Sequence, residues 1–337
     1  MSRIFITGAA GFIGSQLAYY FWKKGNKVKL LDNFSYSSEK NLIFQDYDFC
    51  DEIIRGDIRD KELINKIFRE NKFDYVYHFA AITPLPDCQA NPIEASDVNI
   101  IGTVTILEAS RMYGIKKVIF ASTSAVYENN TEFPLIETNV MPPSLIYSST
   151  KYTAEQFCRS YAKVYNMNIT CLRFANVYGP HLDCLRTQPP VIGYIIRELF
   201  YNRQPILHGK GEQQRDFIYI EDLIRACELV LIGEGFDIVN ISTATTLSIN
   251  ELVTIIAKLM NKEEIRPQYC ECVHYWQNYS ELHKGVYRIS KSILKHEVNK
   301  YTEISNSYAM KKYNWKPRVS VEKGLQDTID YICNFLE

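Results

Sequence analysis

The first half of the chain alternates two patterns. Short runs rich in β-branched and aromatic residues occur at 3–7 (Arg-Ile-Phe-Ile-Thr), 27–31 (Lys-Val-Lys-Leu-Leu), 74–78 (Asp-Tyr-Val-Tyr-His) and 116–121 (Lys-Lys-Val-Ile-Phe-Ala), and these read as strands. Between them, at 61–70 and 97–113, apolar residues recur every three or four positions, as in a helix with one buried stripe. Strands joined through helices run parallel, and the helices then cover both faces of the sheet. The pattern therefore predicts an α/β fold built on a doubly wound parallel sheet. A helix over 147–165 and a strand over 169–174 continue it to about residue 178. Beyond that point Pro, Gly and irregular stretches become more frequent, which predicts a second, smaller α/β domain over 179–337 for substrate, from which segments can return to the sheet of 1–178. Within it, Ser248-Ile-Asn-Glu251 is a capping box, each end satisfying a free amide of a helix that runs to about Met260. Residues 321–336 are amphipathic. Residues 266–301 are aromatic-rich without a clear period and receive no assignment.

Composition narrows the partners. A chain of 337 residues with 46% hydrophobic residues can bury a large core, and a net charge of −1 gives no broad field to gather nucleic acid or an anionic membrane. A small-molecule partner is expected. The nine cysteines include no Cys-x-x-Cys pair, Cys270 and Cys272 lack zinc-site spacing, and the six histidines are dispersed, so no metal is expected. His78 and His181 are read as structural. The apolar stretch 12–22 follows a glycine-rich turn and contains Ser15 and Gln16, which argues against a signal peptide. With no membrane span elsewhere, a cytoplasmic location is the default expectation.

After the first strand comes Thr7-Gly8-Ala9-Ala10-Gly11-Phe12-Ile13-Gly14, leading into a helix over 15–24. At a strand-to-helix turn, missing side chains let the backbone approach a pyrophosphate, and the positive helix end favours the anion. Asp32 ends the second strand, near the position about 20 residues on where a carboxylate meets the adenosine ribose. Asn33 and Phe34 follow, with no Arg to accept a 2′-phosphate, so NAD is expected in preference to NADP and the sheet is Rossmann-like. Asp57 is open to two readings, a partner of the adenine or a helix-leading cap shared with Asp60.

The strand at 116–121 ends in Ser122-Thr123-Ser124, and a helix later carries Tyr147 and Lys151. Four residues apart, these two share a helix face, where the ammonium is expected to lower the phenol's pKa and make it a base for a sugar hydroxyl. The same spacing recurs at Tyr19, Tyr20, Tyr36, Tyr113, Tyr287 and Tyr308. Only Tyr147 follows a strand that ends in hydroxyls at the ligand-binding edge of such a sheet.

Together these residues resemble the nucleotide-sugar epimerase and dehydratase family, the extended short-chain dehydrogenases. The resemblance extends over His78-Phe79-Ala80-Ala81, the segment opening at Asn99, Leu172-Arg-Phe-Ala-Asn-Val-Tyr-Gly-Pro180, Gln214-Arg-Asp-Phe217 and Asn314-Trp-Lys-Pro317. It implies that Tyr147 is the acid/base, that Lys151 binds the nicotinamide ribose, and that Thr123, with Ser124 as an auxiliary, bonds the reacting sugar oxygen. The implied cofactor contacts are Gly8, Gly11, Phe12, Ile13, Gly14, Asp32, Asn33, Asp57, Ile58, Phe79, Ala80, Ala81, Asn99 and Val177, along with Tyr147 and Lys151. Asn176 and Arg215 would hold the diphosphate of a nucleotide-diphosphate sugar, although Arg215 and Asp216 also read as a surface ion pair. Thr83 would touch the sugar and the loop 186–190 would cover the nucleotide, while both also read as plain turns. A homodimer through 99–113 and 147–165 is implied as well. One departure is informative: where the dehydratases carry Asp-Glu after the catalytic Thr, and the decarboxylases carry Glu in the second position, this chain has Ser124-Ala125. A 4-epimerase passing through a 4-keto sugar is therefore expected. A 4-dehydrogenase or ketoreductase is the alternative, a dehydratase or decarboxylase stands further off, and a silent nucleotide-binding regulator is the non-enzyme reading.

Overall fold

The computed structural model describes all 337 residues. In chain order it runs β1 (Arg3–Thr7), α1 (Phe12–Lys23), β2 (Lys27–Asp32), β3 (Ile53–Arg55), α2 (Lys61–Asn71), β4 (Tyr75–His78), α3 (Leu85–Ala90), α4 (Pro92–Ser96), a π-helical turn (Asp97–Gly102), α5 (Thr103–Met112), β5 (Lys117–Thr123), α6 (Ile146–Tyr165) and β6 (Ile169–Phe174). There follow β7 (Asn176–Tyr178), α7 (Val191–Phe200), β8 (Ile206–His208), β9 (Gln214–Arg215), β10 (Phe217–Tyr219), α8 (Ile220–Leu229), β11 (Phe236–Ile241), β12 (Leu247–Ser248) and α9 (Ile249–Leu259). The chain closes with β13 (Gln268–Cys270), α10 (Lys291–Asn299), α11 (Ser307–Tyr313) and α12 (Val321–Leu336).

Seven strands form one parallel sheet in the order β11-β6-β5-β4-β1-β2-β3. Successive side chains of a strand point to opposite faces, so Ile4 and Ile6 enter one core while Phe5 enters the other. On the first face they meet Leu17 and Phe21 of α1 and Leu223 of α8. On the second, Phe5 packs with Ile64 and Phe68 of α2, Ile106 of α5, and Ala154 and Cys158 of α6. Burial on both faces explains why these strands read as apolar runs rather than as an alternation.

The sheet is not contiguous in sequence. Its last strand, β11, lies beyond residue 178 and adds beside β6, from Phe236 opposite Ile169 to Ile241 opposite Phe174. The remainder of 179–337 forms the two-stranded pieces β12-β9 and β13-β8 and pairs β10 with β7 of the first half, with α7, α9 and α12. The first core continues into these helices through Ile195, Leu252 and Ile329. The capping box forms as expected, the Ser248 hydroxyl accepting the Glu251 amide at 3.1 Å and the Glu251 carboxylate accepting the Ser248 amide at 2.8 Å. No helix is long and apolar enough to cross a membrane.

Residues 266–301, unassigned from sequence, place β13 beside β8 and then fold through two short turns into α10. Their buried Trp276, Leu282 and Leu294 form a small separate core with Leu145, the residue that leads into α6. A lobe without periodicity of its own is thus anchored at the start of the helix that carries Tyr147.

Candidate active site

A cavity of about 610 Å³ opens at the carboxyl ends of β1, β2, β4 and β5, large enough for an extended cofactor with part of a substrate. The glycine turn forms its floor. Gly8 has φ +69°, and a Cβ there would lie 2.6 Å from the Ala80 nitrogen, so only glycine lets β1 and the β4 loop approach this closely. A Cβ on Gly14 would collide with the Gly8 carbonyl oxygen, which fixes how near α1 sits to the turn. A Cβ on Gly11 meets nothing but that oxygen, at 3.2 Å, so its cavity side stays open. No side chain caps α1, leaving the amides of its first turn to an anion. The cradle fits a dinucleotide pyrophosphate.

Asp32 ends β2 and is 8% exposed. Its Oδ2 accepts the Ala10 amide at 3.0 Å, and its Oδ1 accepts the Phe34 amide and the Ser37 hydroxyl, both at 2.8 Å. It ties together the turn after β1 and the loop after β2, and its negative charge would repel a 2′-phosphate bound in the cavity. Phe12, Ile13, Asn33, Ile58, Phe79, Ala80, Ala81, Thr83 and Val177 also line the cavity.

Five expected contacts lie outside the wall. The Asp57 carboxylate is gripped by Arg59, with Nε at 2.9 Å and Nη2 at 2.8 Å, and by Asn33 at 3.0 Å, which holds its pKa down to about 2. Asp57 is neither free for the adenine nor the cap of α2; Asp60 caps that helix by accepting the Leu63 amide at 3.0 Å. Asn99, buried in the π-helical turn, accepts the Ile82 amide at 2.8 Å and donates to the Ile82 carbonyl and to Thr150. It shapes the wall from behind. Ser124 lies in the short turn after β5, while its neighbour Ser122 donates to the buried Glu155, which pairs with Arg173 at 2.7 Å.

The two remaining exceptions are the residues expected at the diphosphate. Arg215 donates to the carbonyls of Glu297 at 3.0 Å and Val298 at 3.4 Å, at the end of α10. Asp216 is fully buried and accepts from the amides of Thr243 and Ala244 and from the Thr243 hydroxyl. The surface ion pair read from the sequence is therefore absent. Asn176 donates to the Asp216 carbonyl at 3.0 Å. Lys300, which the sequence did not flag, pairs with the Glu297 carboxylate at 3.4 Å, so the end of α10 holds Lys300 through a side chain and Arg215 through backbone carbonyls.

Thr123, Tyr147 and Lys151 line the same cavity. The Thr123 oxygen accepts the Ala125 amide at 3.1 Å, leaving its proton free to donate. Tyr147 is 8% exposed; burial raises its pKa to about 12, against lowering by the Thr123 hydroxyl and by the charge of Arg186. The Lys151 ammonium lies 4.3 Å from the centre of the Phe120 ring, and burial depresses it to about 8. His78 bridges Thr7 at 2.8 Å and Thr103 at 3.0 Å, and burial lowers its pKa to about 3, so it serves as a neutral strut.

The cavity's carboxylates are Asp32, Glu94 and Asp183. The first holds loops, the second is ion-paired with Arg59, and the third accepts the amides of Leu185 and Arg186. None is among the groups acting on Tyr147. The Arg186 guanidinium, by contrast, faces the cavity, makes one hydrogen bond, from Nε to the Gln188 carbonyl at 2.8 Å, and has no ion-pair partner.

The profile of the NAD dependent epimerase/dehydratase family matches residues 4–242, more than half of the chain and all of the sheet except the first residue of β1. The chain belongs to this family. A putative UDP-glucose 4-epimerase of Methanocaldococcus jannaschii is 32% identical over 334 residues, 98% of both chains. A UDP-glucuronate 4-epimerase of Thermodesulfobacterium geofontis is 28% identical, covering 98% of this chain and 96% of its own. The crystal structure of Thermotoga maritima UDP-glucose 4-epimerase with UDP-glucose superposes with a TM-score of 0.87 at 28% identity, over 99% of this chain and 100% of that one. Dehydratases of dTDP-D-glucose stand among the relatives too. The family's cofactor, NAD, is the dinucleotide that the glycine cradle and Asp32 suit.

Proposed function

We propose that the protein is an NAD-dependent nucleotide-sugar 4-epimerase. The observation that carries this reading is a cavity that brings Thr123, Tyr147 and Lys151 together while its three carboxylates, Asp32, Glu94 and Asp183, are each engaged by other groups. Removing water or carbon dioxide from a sugar needs further proton-transfer groups, and this site offers the phenol and the hydroxyl instead. Thr123 donates to the sugar's 4-oxygen, Tyr147 takes its proton, and Lys151 holds the nicotinamide ribose. Bound there, NAD would supply a reversible hydride acceptor for C4. Tyr147 gives the proton back as the 4-keto sugar is reduced. The contacts along Gly8 to Gly14, Asp32, Asn33 and Ile58 hold the dinucleotide, while Asp57, Asn99 and Ser124 act behind the wall.

The UDP-sugar relatives support UDP as the nucleotide. Arg215, Lys300 and Asn176 are proposed for its diphosphate, Arg215 by exchanging carbonyl partners for phosphate oxygens. Residues 1–178 with β11 form the cofactor half, and the rest of 179–337 the substrate half. The protein is proposed to be cytoplasmic and a homodimer through the outer faces of α5 and α6. A second reading concerns the sugar. Arg186 is an unpaired cation beside the reacting phenol, a position suited to a sugar carrying a carboxylate. Incubating the protein with a panel of UDP-, dTDP-, GDP- and CDP-sugars that includes UDP-glucuronate, followed by proton NMR and NADH absorbance, tests both readings. An inverted C4 without accumulated NADH is expected. Stoichiometric NADH with a keto product would replace the epimerase by a dehydrogenase, and a 4-keto-6-deoxy product would replace it by a dehydratase.

A further inference from the structure

Between the cavity wall and α6 lies a buried polar network to which none of the roles above has been given. Ser122 and Arg173 are cross-strand neighbours near the carboxyl ends of β5 and β6. Both meet one side chain of α6, Glu155, which is fully buried. Its Oε1 accepts the Ser122 hydroxyl at 2.5 Å and Nε of Arg173 at 2.9 Å, and its Oε2 accepts Nη2 of Arg173 at 2.7 Å. The third guanidinium nitrogen donates to the Tyr127 hydroxyl at 2.8 Å and to the Glu137 carbonyl at 3.0 Å, and Tyr127 donates to Asn240 of β11 at 2.8 Å. Both carboxylate oxygens and all three guanidinium nitrogens are engaged.

A buried ion pair is a weak source of stability, because two charges have lost their water and apolar side chains of equal volume often serve as well. What a bidentate fork does supply is orientation, since it fixes the planes of both groups at once. Here the elements so fixed are those that carry the proposed chemistry. Ser122 lines the cavity and directly precedes Thr123. Glu155 lies one helical turn beyond Lys151 and two beyond Tyr147, on the same face of α6. One carboxylate thus joins the strand end that presents the hydroxyl to the helix that presents the phenol and the ammonium. Its charge matters as well: burial depresses the Lys151 ammonium, and Glu155 is the carboxylate that opposes this. The other titratable groups about Lys151 are Cys158 on its own helix, Cys171 on β6, Cys88 on α3 and His78 on β4. Burial raises Cys88 to about 12 and Cys171 well above its ordinary value, and keeps His78 neutral.

We propose that Glu155 is a positioning residue for the reaction, setting the Thr123 hydroxyl against Tyr147 through Ser122 and placing a negative charge one turn beyond Lys151. The inference rests on the roles proposed above for Thr123, Tyr147 and Lys151, which an epimerase and a dehydrogenase share. Glu155 touches neither sugar nor dinucleotide and acts through its neighbours.

The test compares the full-length protein with Ser122→Ala, Glu155→Gln and Glu155→Asp. Turnover is measured on the sugar that the panel identifies, and Lys151 is titrated by NMR of lysine isotopically labelled at Cε, with Lys151→Met assigning its signal. Removing one partner of a buried ion pair threatens folding, whereas Ser122→Ala leaves the pair whole and reads the strand tie alone. Loss of one charge-assisted hydrogen bond corresponds to roughly tenfold, so Ser122→Ala should lose about tenfold in kcat while the KM for sugar, the affinity for NAD, the melting temperature and the Lys151 titration hold. Glu155→Gln should move the Lys151 titration, and with it the alkaline fall of kcat/KM, downward by about one pH unit, since the ammonium loses its counter-charge and Arg173 stands unpaired nearby. Glu155→Asp should recover part of both losses. A wild-type kcat in Ser122→Ala, a loss there only in step with the melting temperature, or an unmoved Lys151 titration in Glu155→Gln overturns the assignment. The titration is read without sugar, so it stands apart from the panel, which alone decides the reaction.

Discussion

At the scale of single residues, the site shows a buried phenol and a buried ammonium that share a helix face. Burial disfavours the charged form of each, raising Tyr147 to about 12 and lowering Lys151 to about 8. For Lys151 the folded pKa is below the unfolded 10.5, so its burial destabilises the fold at pH values below about 8, and that penalty is relieved as pH climbs from about 8 to 10.5. In the proposed mechanism catalysis has the opposite dependence, since it uses the ammonium. In a pH series, kcat/KM is expected to fall above about pH 8 while thermal stability does not fall with it. A constant kcat/KM up to pH 10 would show that the charge of Lys151 is dispensable. In the same assay Tyr147→Phe should lose about 10²- to 10⁴-fold in kcat and retain NAD, because the phenyl ring still fills the wall and only the proton carrier is gone. Legibility differed at this scale. The glycines, Asp32, Thr123, Tyr147 and Lys151 were readable because each follows directly from a strand end or a helix start. Arg59's grip on Asp57 was not, since nothing in the local pattern says which of two requirements a carboxylate will meet.

At the scale of elements, the placement of α6 decides the chemistry. Its first turn has no cap of its own, as Leu145 offers no side-chain acceptor. Glu128, 4% exposed, takes over: its Oε1 accepts the amides of Ser144 and Leu145, the latter at 2.7 Å, and its Oε2 accepts the Ser148 hydroxyl at 2.7 Å. A carboxylate seventeen residues upstream thus pins the chain that enters the helix and supplies the charge favoured at its positive end, while Gln89 accepts the first helical amide, that of Ile146, at 3.2 Å. Glu128→Ala leaves buried amides unpaired beside Tyr147 and should cost about 2–4 kcal/mol, together with a fall in kcat, because the helix start that carries the phenol loosens. Full stability in urea titration would show that water or Gln89, which already accepts the Ile146 amide, replaces the carboxylate. Strands β1, β2, β4, β5 and β6 were legible because their apolar runs are local signals. The lobe 266–301 was not, because Trp276, Leu282 and Leu294 satisfy a surface formed by Leu145 and α3 rather than any stripe of their own.

At the scale of the whole molecule, the paired helices α5 and α6 leave apolar side chains facing outward, among them Met112 at 62%, Phe157 at 38% and Val164 at 68% exposed, with Ile101 at 49% on the preceding turn. Two such faces meeting about a two-fold axis would bury them against each other. Light scattering is expected to return the mass of a dimer, and Phe157→Asp with Val164→Asp the mass of a monomer. A monomeric wild type would leave that face to another partner. The fold class was visible from alternating periods alone. The return of β11 was not, since Phe236–Ile241 reads as any short strand, and its partner is named only by the free edge of β6.

That return sets an order of events during synthesis. When a ribosome has delivered β6, the sheet already holds six strands, and its open edge exposes the unpaired backbone groups that invite association with other chains. The strand that closes it begins at residue 236, sixty-two positions after β6 ends at 174. At about 5–20 residues per second the edge stays bare for roughly 3–12 s, during which only the nascent chain's own solubility or a chaperone protects it.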